Sequence, residues 1–301
     1  MTKKTRLITH SGGFHADDIF GIATLCILFG KDNIEIIRTR DQDIISEGDY
    51  VLDVGFEYDP QRNRFDHHQE GGAGKRDNGV PYASFGLIWK KFGKDVCGSQ
   101  EVANDLDTRL IQAIDSLDNG VGLSTPLLPG VETYTVSQAM FAFEPAWGEN
   151  RSNEEAFKEA LSWAQTLLTR EIRYSQGRVE VFRLVRDIYE QAANKQIIVF
   201  DDNNYWDRRL IQEEFQRFPD VIYFVRPHPD PGKWQVICAT DNIHIFKNRK
   251  DFPHEWAGKH DGDLARICGV PDAIFCHNKA WLCAADSKEG AIKLAEIALN
   301  S

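Results

Sequence analysis

The 301-residue chain lacks most of the features that assign a protein quickly to a class. No apolar run approaches the ~20 residues needed to cross a bilayer, and the longest, Ile19 to Phe29, follows two acids and reads as a buried helix. The opening Met-Thr-Lys-Lys-Thr-Arg-Leu-Ile-Thr leads into a strand pattern without the apolar core of a signal peptide, so a cytoplasmic location and no membrane partner are expected. None of the six cysteines stands in a Cys-x-x-Cys pair, which predicts reduced, buried thiols. There is no repeat, no low-complexity tract, no P-loop, no Gly-x-Gly-x-x-Gly and no Gly-x-Ser-x-Gly. Base is also scarce: 35 Lys and Arg stand against 46 Asp and Glu, a net charge of -11. The imbalance sits in residues 1–150, with 14 basic against 23 acidic residues; residues 151–301 hold 21 against 23. An acidic surface repels a phosphate substrate unless divalent cations neutralise it.

What is present is an unusual run, Asp66-His67-His68, just after a short strand pattern. Adjacent side chains on a strand point to opposite faces, so both imidazoles can serve one centre only where the backbone bends. A bend there suits two ligands converging on metal, or one ligand backed by a partner.

The chain begins with a strand, Thr5 to His10, a tight turn, Ser11 to Phe14, and His15-Ala-Asp17-Asp18 running into the apolar helix that Gly30 stops. His10, His15, Asp17 and Asp18 thus gather where an open α/β sheet binds ligands, at a strand's carboxyl end and a helix's amino end. An Asp pair in a first helical turn ordinarily serves the helix dipole; two histidines in the same turn shift the balance toward metal. Mixed imidazole and carboxylate donors suit Mn²⁺, Zn²⁺, Fe²⁺ or Co²⁺ better than Mg²⁺. After a strand at Ile34 to Arg38, Asp49 to Gly55 reads as a third strand whose Asp53 interrupts an apolar run, a costly burial without a partner. A hairpin turning at Asp59-Pro60 brings Asp66 beside it. Gln69 to Pro81 reads as a mobile loop, Tyr82 to Gly93 as a helix capped by Ser84 or offering Ser84 to a phosphate, and Val102 to Leu117 as another helix. Asp115 or Asp118 at its end could return to the centre; a solvated helix end is the plainer alternative.

Residues 131–149 read as a mixture of irregular and helical pieces, and Asn153 to Ala193 as one long helix. A second α/β unit begins near residue 190, with strands at 196–200, 221–225, 233–238, 273–278 and 281–284 and a closing helix from Lys288 to Leu299. Arg226, His277 and Lys279 are its candidates for a substrate phosphate, each with a surface role as the plainer reading.

The ordered set His10, His15-x-Asp17, Asp53, Asp66-His67-His68 and then Asp115 or Asp118 resembles the DHH phosphoesterases. The match is nearest to the melanocyte proliferating gene (Myg) branch of DHH-like exonucleases. Thr9 to Asp18, Asp53 to Pro60, Arg64 to Gln69 and Tyr82 to Trp89 carry it, with Phe246 to Arg249 and Glu289 to Ala291 extending it along the chain. The resemblance implies an α/β fold: a DHH-like parallel-sheet domain with helices on both faces (1–190), then a smaller α/β (α+β) substrate domain (191–301). It implies a centre of two divalent ions, Mn²⁺ first among them, held by His10, His15, Asp17, Asp53 and His67, with Asp118, or in its place Asp115, as the last carboxylate and Asp66 and His68 joining or standing behind it as catalytic groups. It departs from the wider superfamily in having His15-Ala-Asp17 for Asp-x-Asp and in lacking the carboxyl-terminal Gly-Gly-Gly-His. The expected activity is a phosphodiesterase trimming RNA or single-stranded DNA from the 3′ end. The rivals are a small-molecule phosphohydrolase acting on pyrophosphate, a dinucleotide or a nucleoside phosphate, and a metal-binding protein without catalysis.

Overall fold

Short β-branched runs broken by glycine and acid set out the first half of the chain. The structure, a computed structural model, describes residues 3–200, 207–243, 245 and 247–301, so Phe246 of the Phe246 to Arg249 motif lies outside the described residues. In order come β1 (Thr5–Thr9), α1 (Ala16–Phe29), β2 (Ile34–Arg38), α2 (Gln42–Ser46), β3 (Tyr50–Leu52), β4 (Tyr58–Asp59) and β5 (Arg64–Phe65). They are followed by α3 (Ser84–Cys97), α4 (Gln100–Leu106), α5 (Gln112–Asp118), α6 (Val136–Phe141) and α7 (Asn153–Gln191). The chain divides into two compact units, Met1–Gly177 and Arg178–Ser301, and the division lies inside α7.

The first unit holds a sheet of order β2-β1-β3-β5-β4, parallel except for the antiparallel edge pair β4 and β5. Its register aligns Ile37, Ile8, Val51 and Arg64 in one row across four strands. Two residues beyond that row stand Thr39, His10, Asp53 and Asp66. A parallel sheet sends every carboxyl end to the same edge, so residues scattered over sixty positions of sequence become neighbours there.

Several boundaries differ from the sequence reading, each for a local reason. α1 starts at Ala16 rather than at its apolar run, because the Asp18 carboxylate accepts from the His15 amide in a capping box. From Ala16 through Cys26 the helix is buried without interruption, which explains its nearly unbroken apolar character. β3 stops at Leu52, since Asp53 turns to a φ of 56°. Ser84 is the first residue of α3 and not its cap, a position taken by Ala83. The helix expected from Val102 is interrupted by a π turn, Asp107–Ile111, an irregularity found mostly at functional sites. The segment 69–81, read as mobile, is tied down by Arg76. Its guanidinium reaches Asp107 Oδ1 at 2.6 Å and Asp115 Oδ2 at 2.7 Å and lies over the Tyr82 ring.

The second unit contains β6 (Ile197–Val199), α8 (Arg208–Glu214), β7 (Tyr223–Pro227), β8 (Trp234–Cys238), β9 (Thr240–Asn242), β10 (Lys247–Asn248), α9 (Asp261–Cys268), β11 (Ala273–Cys276), β12 (Leu282–Ala285) and α10 (Lys288–Asn300). Its main sheet runs β11-β12-β8-β7-β6, antiparallel but for β6 and β7. Alternation divides the core in two: Tyr223, Val225, Val236 and Cys238 pack with Leu294 and Ala298 of α10, while Phe224 and Ile237 pack with Val185, Ile211 and Phe215. All six cysteines are buried free thiols, as their spacing predicts.

The packing around α3 yields a test. A Cβ on Gly86 would stand 1.8 Å from Asp115 Oδ2, an atom held in place by Arg76. Gly86→Ala should therefore cost ~2–4 kcal/mol in urea unfolding despite the better helix propensity of alanine. Gly177→Ala, with nothing within 4 Å of the added carbon, should instead gain up to ~1 kcal/mol.

Candidate metal centre

Three strand ends of the first unit each contribute a piece of the site. β1 is followed by His10, β3 by Asp53, β5 by Asp66, His67 and His68; α1 adds Asp17 and Asp18 from its first turn, and α5 ends on Asp118. Their donor atoms form three overlapping groups, each with all its atoms within 4.8 Å: His10, His15 and Asp53; Asp53, His67 and His68; Asp17, His67 and Asp118. Asp53 and His67 are each shared by two groups. Asp53 faces three imidazoles, with Oδ2 3.2 Å from His10 Nε2 and Oδ1 3.4 Å from His67 Nε2 and 3.5 Å from His68 Nδ1.

The acids of this pocket are held in a costly state. Burial pushes the Asp18 carboxyl up to about 7. Burial pushes Asp17 well above the carboxylate range as well, and the nearby charges of Asp118 and Asp53 add to the effect. For Asp53 burial acts in the same direction, but the His10 and His67 imidazoles that face it outweigh burial and hold the group below its ordinary value. Burial would lower His67; Asp118, Asp53 and Asp17 override it and carry the imidazole up to about 11. Two like charges ~4 Å apart repel by ~4 kcal/mol at the effective dielectric of a protein surface, so this many acids share a pocket only when protons or cations share it too.

Two atoms indicate which form that charge takes. His67 Nε2 is buried 3.1 Å from Asp118 Oδ2 yet makes no hydrogen bond of workable angle, and Asp18 Oδ2 is buried without a partner 3.5 Å from His10 Nε2. Imidazole and carboxylate atoms that converge without aligning on a proton fit a divalent cation between them, and this donor set suits Mn²⁺, Fe²⁺, Co²⁺ or Zn²⁺.

The remaining sequence candidates take distinct places. Asp66 belongs to none of the three groups. Its carboxylate is occupied by the amides of Phe56 (2.6 Å), His67 (2.7 Å) and His68 (3.1 Å) and by His68 Nδ1 at 2.8 Å, so it orients His68 and bends the chain. His15 and His68 are the open members, each with about half its side chain exposed, at 52%. Asp115 is turned away: it accepts from the Gly86 amide at 3.0 Å and pairs with Arg76. Of the two acids at the end of α5, Asp118 is the one that converges with Asp17 and His67. Asp17 does double duty, accepting from the Ser84 and Phe85 amides at the start of α3. Ser84 is fully buried with its hydroxyl donating to Asp53 Oδ1 at 3.4 Å. Arg226, His277 and Lys279 lie in the second unit. Arg226 sits on β7, where the Gln235 amide oxygen can accept from it, and the other two occupy the turn between β11 and β12, with His277 Nδ1 accepting from the Lys279 amide.

Three residues that border the site were not singled out by the sequence pattern. Phe141 of α6 sets its ring edge-on to His15, with 6.1 Å between centroids. Glu144 accepts from the Phe14 amide at 3.1 Å. Arg40 reaches His10. For Arg40 a signal existed: it follows the second strand of a parallel sheet in the acidic half of the chain.

Comparison with known proteins agrees with the resemblance carried by these residues. A family profile with the description "Uncharacterised protein family (UPF0160)", MYG1_exonuc, matches residues 6–299. The chain belongs to the Myg family. A mouse member named MYG1 exonuclease is 28% identical over 321 residues, covering 98% of this chain and 84% of its own. The human MYG1 exonuclease is likewise 28% identical, with 98% and 85% covered, and the Dictyostelium discoideum MYG1 protein is 29% identical, with 98% and 96% covered. Among solved structures, a Vibrio pGpG-specific phosphodiesterase (13% identity, 99% of this chain and 100% of that one) and Thermus thermophilus RecJ in complex with Mn²⁺ (13%, 98% and 52%) both align at a TM-score of 0.31. Likenesses that slight have no bearing on the reaction of this Myg-family chain. Among the described residues no helix is long and apolar enough to cross a membrane.

The two acids of α5 separate by experiment. Asp118→Asn should weaken Mn²⁺ binding, followed by electron paramagnetic resonance, by ~10–100-fold with little change in Tm of the metal-stripped protein. Asp115→Asn should do the reverse, leaving Mn²⁺ affinity nearly intact while lowering Tm by several degrees through loss of the buried partner of Arg76. Equal effects of the two substitutions on Mn²⁺ would remove the distinction.

Proposed function

We propose that this chain is a metal-dependent phosphodiesterase that shortens single-stranded RNA or DNA from the 3′ end. The observation that carries the reading is the overlap of the three donor groups through Asp53 and His67, which offers adjoining positions for two divalent ions. Bound there, the ions would stabilise the attacking and leaving oxygens of an in-line phosphoryl displacement. His10, His15 and Asp53 would hold one, and Asp17, His67 and Asp118 the other, with Mn²⁺ the leading choice. His68 is the proton carrier: the contact between its Nδ1 and Asp66 fixes the ring, leaves Nε2 for transfer to the departing oxygen, and keeps its pKa above the ordinary value. Arg226, His277 and Lys279 of the second unit are the proposed contacts to the substrate strand. The relatives from mouse and human named as exonucleases support the choice of nucleic acid.

The strong acidity of residues 1–150 favours a second reading, hydrolysis of a small phosphate compound such as pyrophosphate or a dinucleotide, because general nucleic-acid binders carry net positive charge. One assay separates the two. The Mn²⁺-loaded protein, given 5′-labelled single-stranded RNA and DNA of moderate length, should produce a ladder that shortens from the 3′ end. Asp53→Asn should abolish it, and His68→Gln should lower kcat by ~10²–10⁴-fold. Hydrolysis confined to pyrophosphate or dinucleotides would establish the small-molecule reading, and metal binding without turnover of any of these would leave a non-catalytic metal protein.

A further inference from the structure

Two arginines leave β2 together, and the structure uses only one of them for architecture. Arg38 is engaged on both terminal nitrogens: Nη1 pairs with Glu154 at 2.9 Å, and Nη2 donates to the carbonyls of Gly12 (2.7 Å) and Gly13 (3.3 Å), while its guanidinium lies over Phe157. Arg40 stands one step further along the same sheet edge and is exposed. Among the described residues it has no carboxylate partner, although this half of the chain has acid in excess. Its contacts are Nε to the Ser11 carbonyl at 3.3 Å and Nη2 to His10 Nδ1 at 3.4 Å.

The second contact conflicts with metal binding. His10 directs Nε2 at Asp53 and Asp18, so that nitrogen is the one placed to ligate in the proposed centre, and a neutral ring ligating through Nε2 carries its proton on Nδ1. That proton has an acceptor in the Ser11 carbonyl, 3.4 Å away. Two donors cannot satisfy each other, so Arg40 Nη2 loses its acceptor in the ligating tautomer. The guanidinium is then held by Nε alone, with Nη1 and Nη2 both unengaged at the rim of the metal cluster. A planar pair of donors of that kind matches two oxygens of a phosphate.

We propose that Arg40 binds the non-bridging oxygens of the substrate's phosphate at the metal cluster. This rests on the phosphodiesterase reading and deepens it. The pocket is otherwise lined by carboxylates and imidazoles, so metal charge and this guanidinium are its means of holding a dianionic or diester group. Because the contact exists in the bound substrate as well as in the transition state, its loss raises KM more than it lowers kcat.

The test uses the Mn²⁺-loaded 301-residue chain as wild type, Arg40→Ala and Arg40→Lys. Inorganic phosphate binding is measured by ³¹P relaxation, Mn²⁺ affinity by electron paramagnetic resonance, and turnover on the single-stranded oligonucleotide in parallel. Expected for Arg40→Ala are Mn²⁺ affinity within ~twofold of wild type, phosphate binding weakened about tenfold or more, and a salt dependence of oligonucleotide binding shallower by about 0.7. Arg40→Lys should recover only part of the phosphate affinity, since an ammonium lacks the fork. Unchanged phosphate binding in Arg40→Ala, with wild type still active, would overturn the assignment and leave the phosphodiesterase reading standing. A loss of Mn²⁺ affinity as large as the loss of phosphate would overturn it too, making Arg40 a residue that positions His10. Wild type that takes up Mn²⁺ but binds neither phosphate nor oligonucleotide would defeat both.

Discussion

Asp53 is the group on which the first unit is built. Its carboxylate is almost completely buried, faces His10, His67 and His68, and belongs to two of the three donor groups. Its backbone adopts a φ of 56°, a conformation that costs an L-residue ~1 kcal/mol or more and that aspartate tolerates better than most. The bend ends β3 at Leu52, where a continued strand would alternate the next side chain to the other face. Backbone strain at one residue thus joins a structural decision, where the strand stops, to a chemical one, where the carboxylate points.

Around that residue the scaffold is made of acids that cap helices. Asp17 of α1 accepts from the first amides of α3, and Asp115 of α5 accepts from the next one, Gly86. Two helices thereby fix the start of a third with carboxylates, placed where the helix dipole favours negative charge. Arg76 closes the arrangement by binding Asp115 and the π turn at once. One consequence is that two acids three residues apart on α5 have unrelated duties. Asp115 is spent on architecture, and Asp118, at the free end of the helix, converges with Asp17 and His67.

How much of this the sequence discloses depends on whether a feature is local. The strand ends and the segments that converge at them were legible, because Thr-His-Ser-Gly-Gly, Leu-Asp-Val-Gly and Phe-Asp-His-His each mark an apolar run giving way to polar donors. The parallel register that aligns them follows from right-handed α/β connectivity. What was not legible depended on tertiary pairing. Nothing within the segment Ile114 to Gly120 says that Arg76 will claim Asp115. The cap of α3 was misread because the serine beside Ala83 has the better capping chemistry, yet Asp17, sixty-seven positions away, already satisfies its amide. The segment 69–81 reads as mobile from its glycines, and one arginine anchors it. Asp66, first of the three residues that mark the motif, proves to be the one without a place in a donor group. Its oxygens accept from three amides and meet His68 Nδ1, contacts that shape the motif.

The acidity that argues against a phosphate substrate is a property of the cluster's resting charge. Buried carboxylates repel one another until cations join them, and divalent ions held there would present positive charge to the solvent side of the pocket, where His15, His68 and Arg40 are exposed. A chain of net negative charge would in this way have its negative field cancelled at a single edge of a sheet, within a Debye length of about 8 Å, while its acidic surface elsewhere repels polyanions. Such a field would favour capture of a strand at its terminus over binding along its length, because one phosphate group could meet the metals while the neighbouring backbone stays in solvent. An end-directed reaction on nucleic acid and hydrolysis of a small phosphate compound are then related outcomes of one electrostatic design.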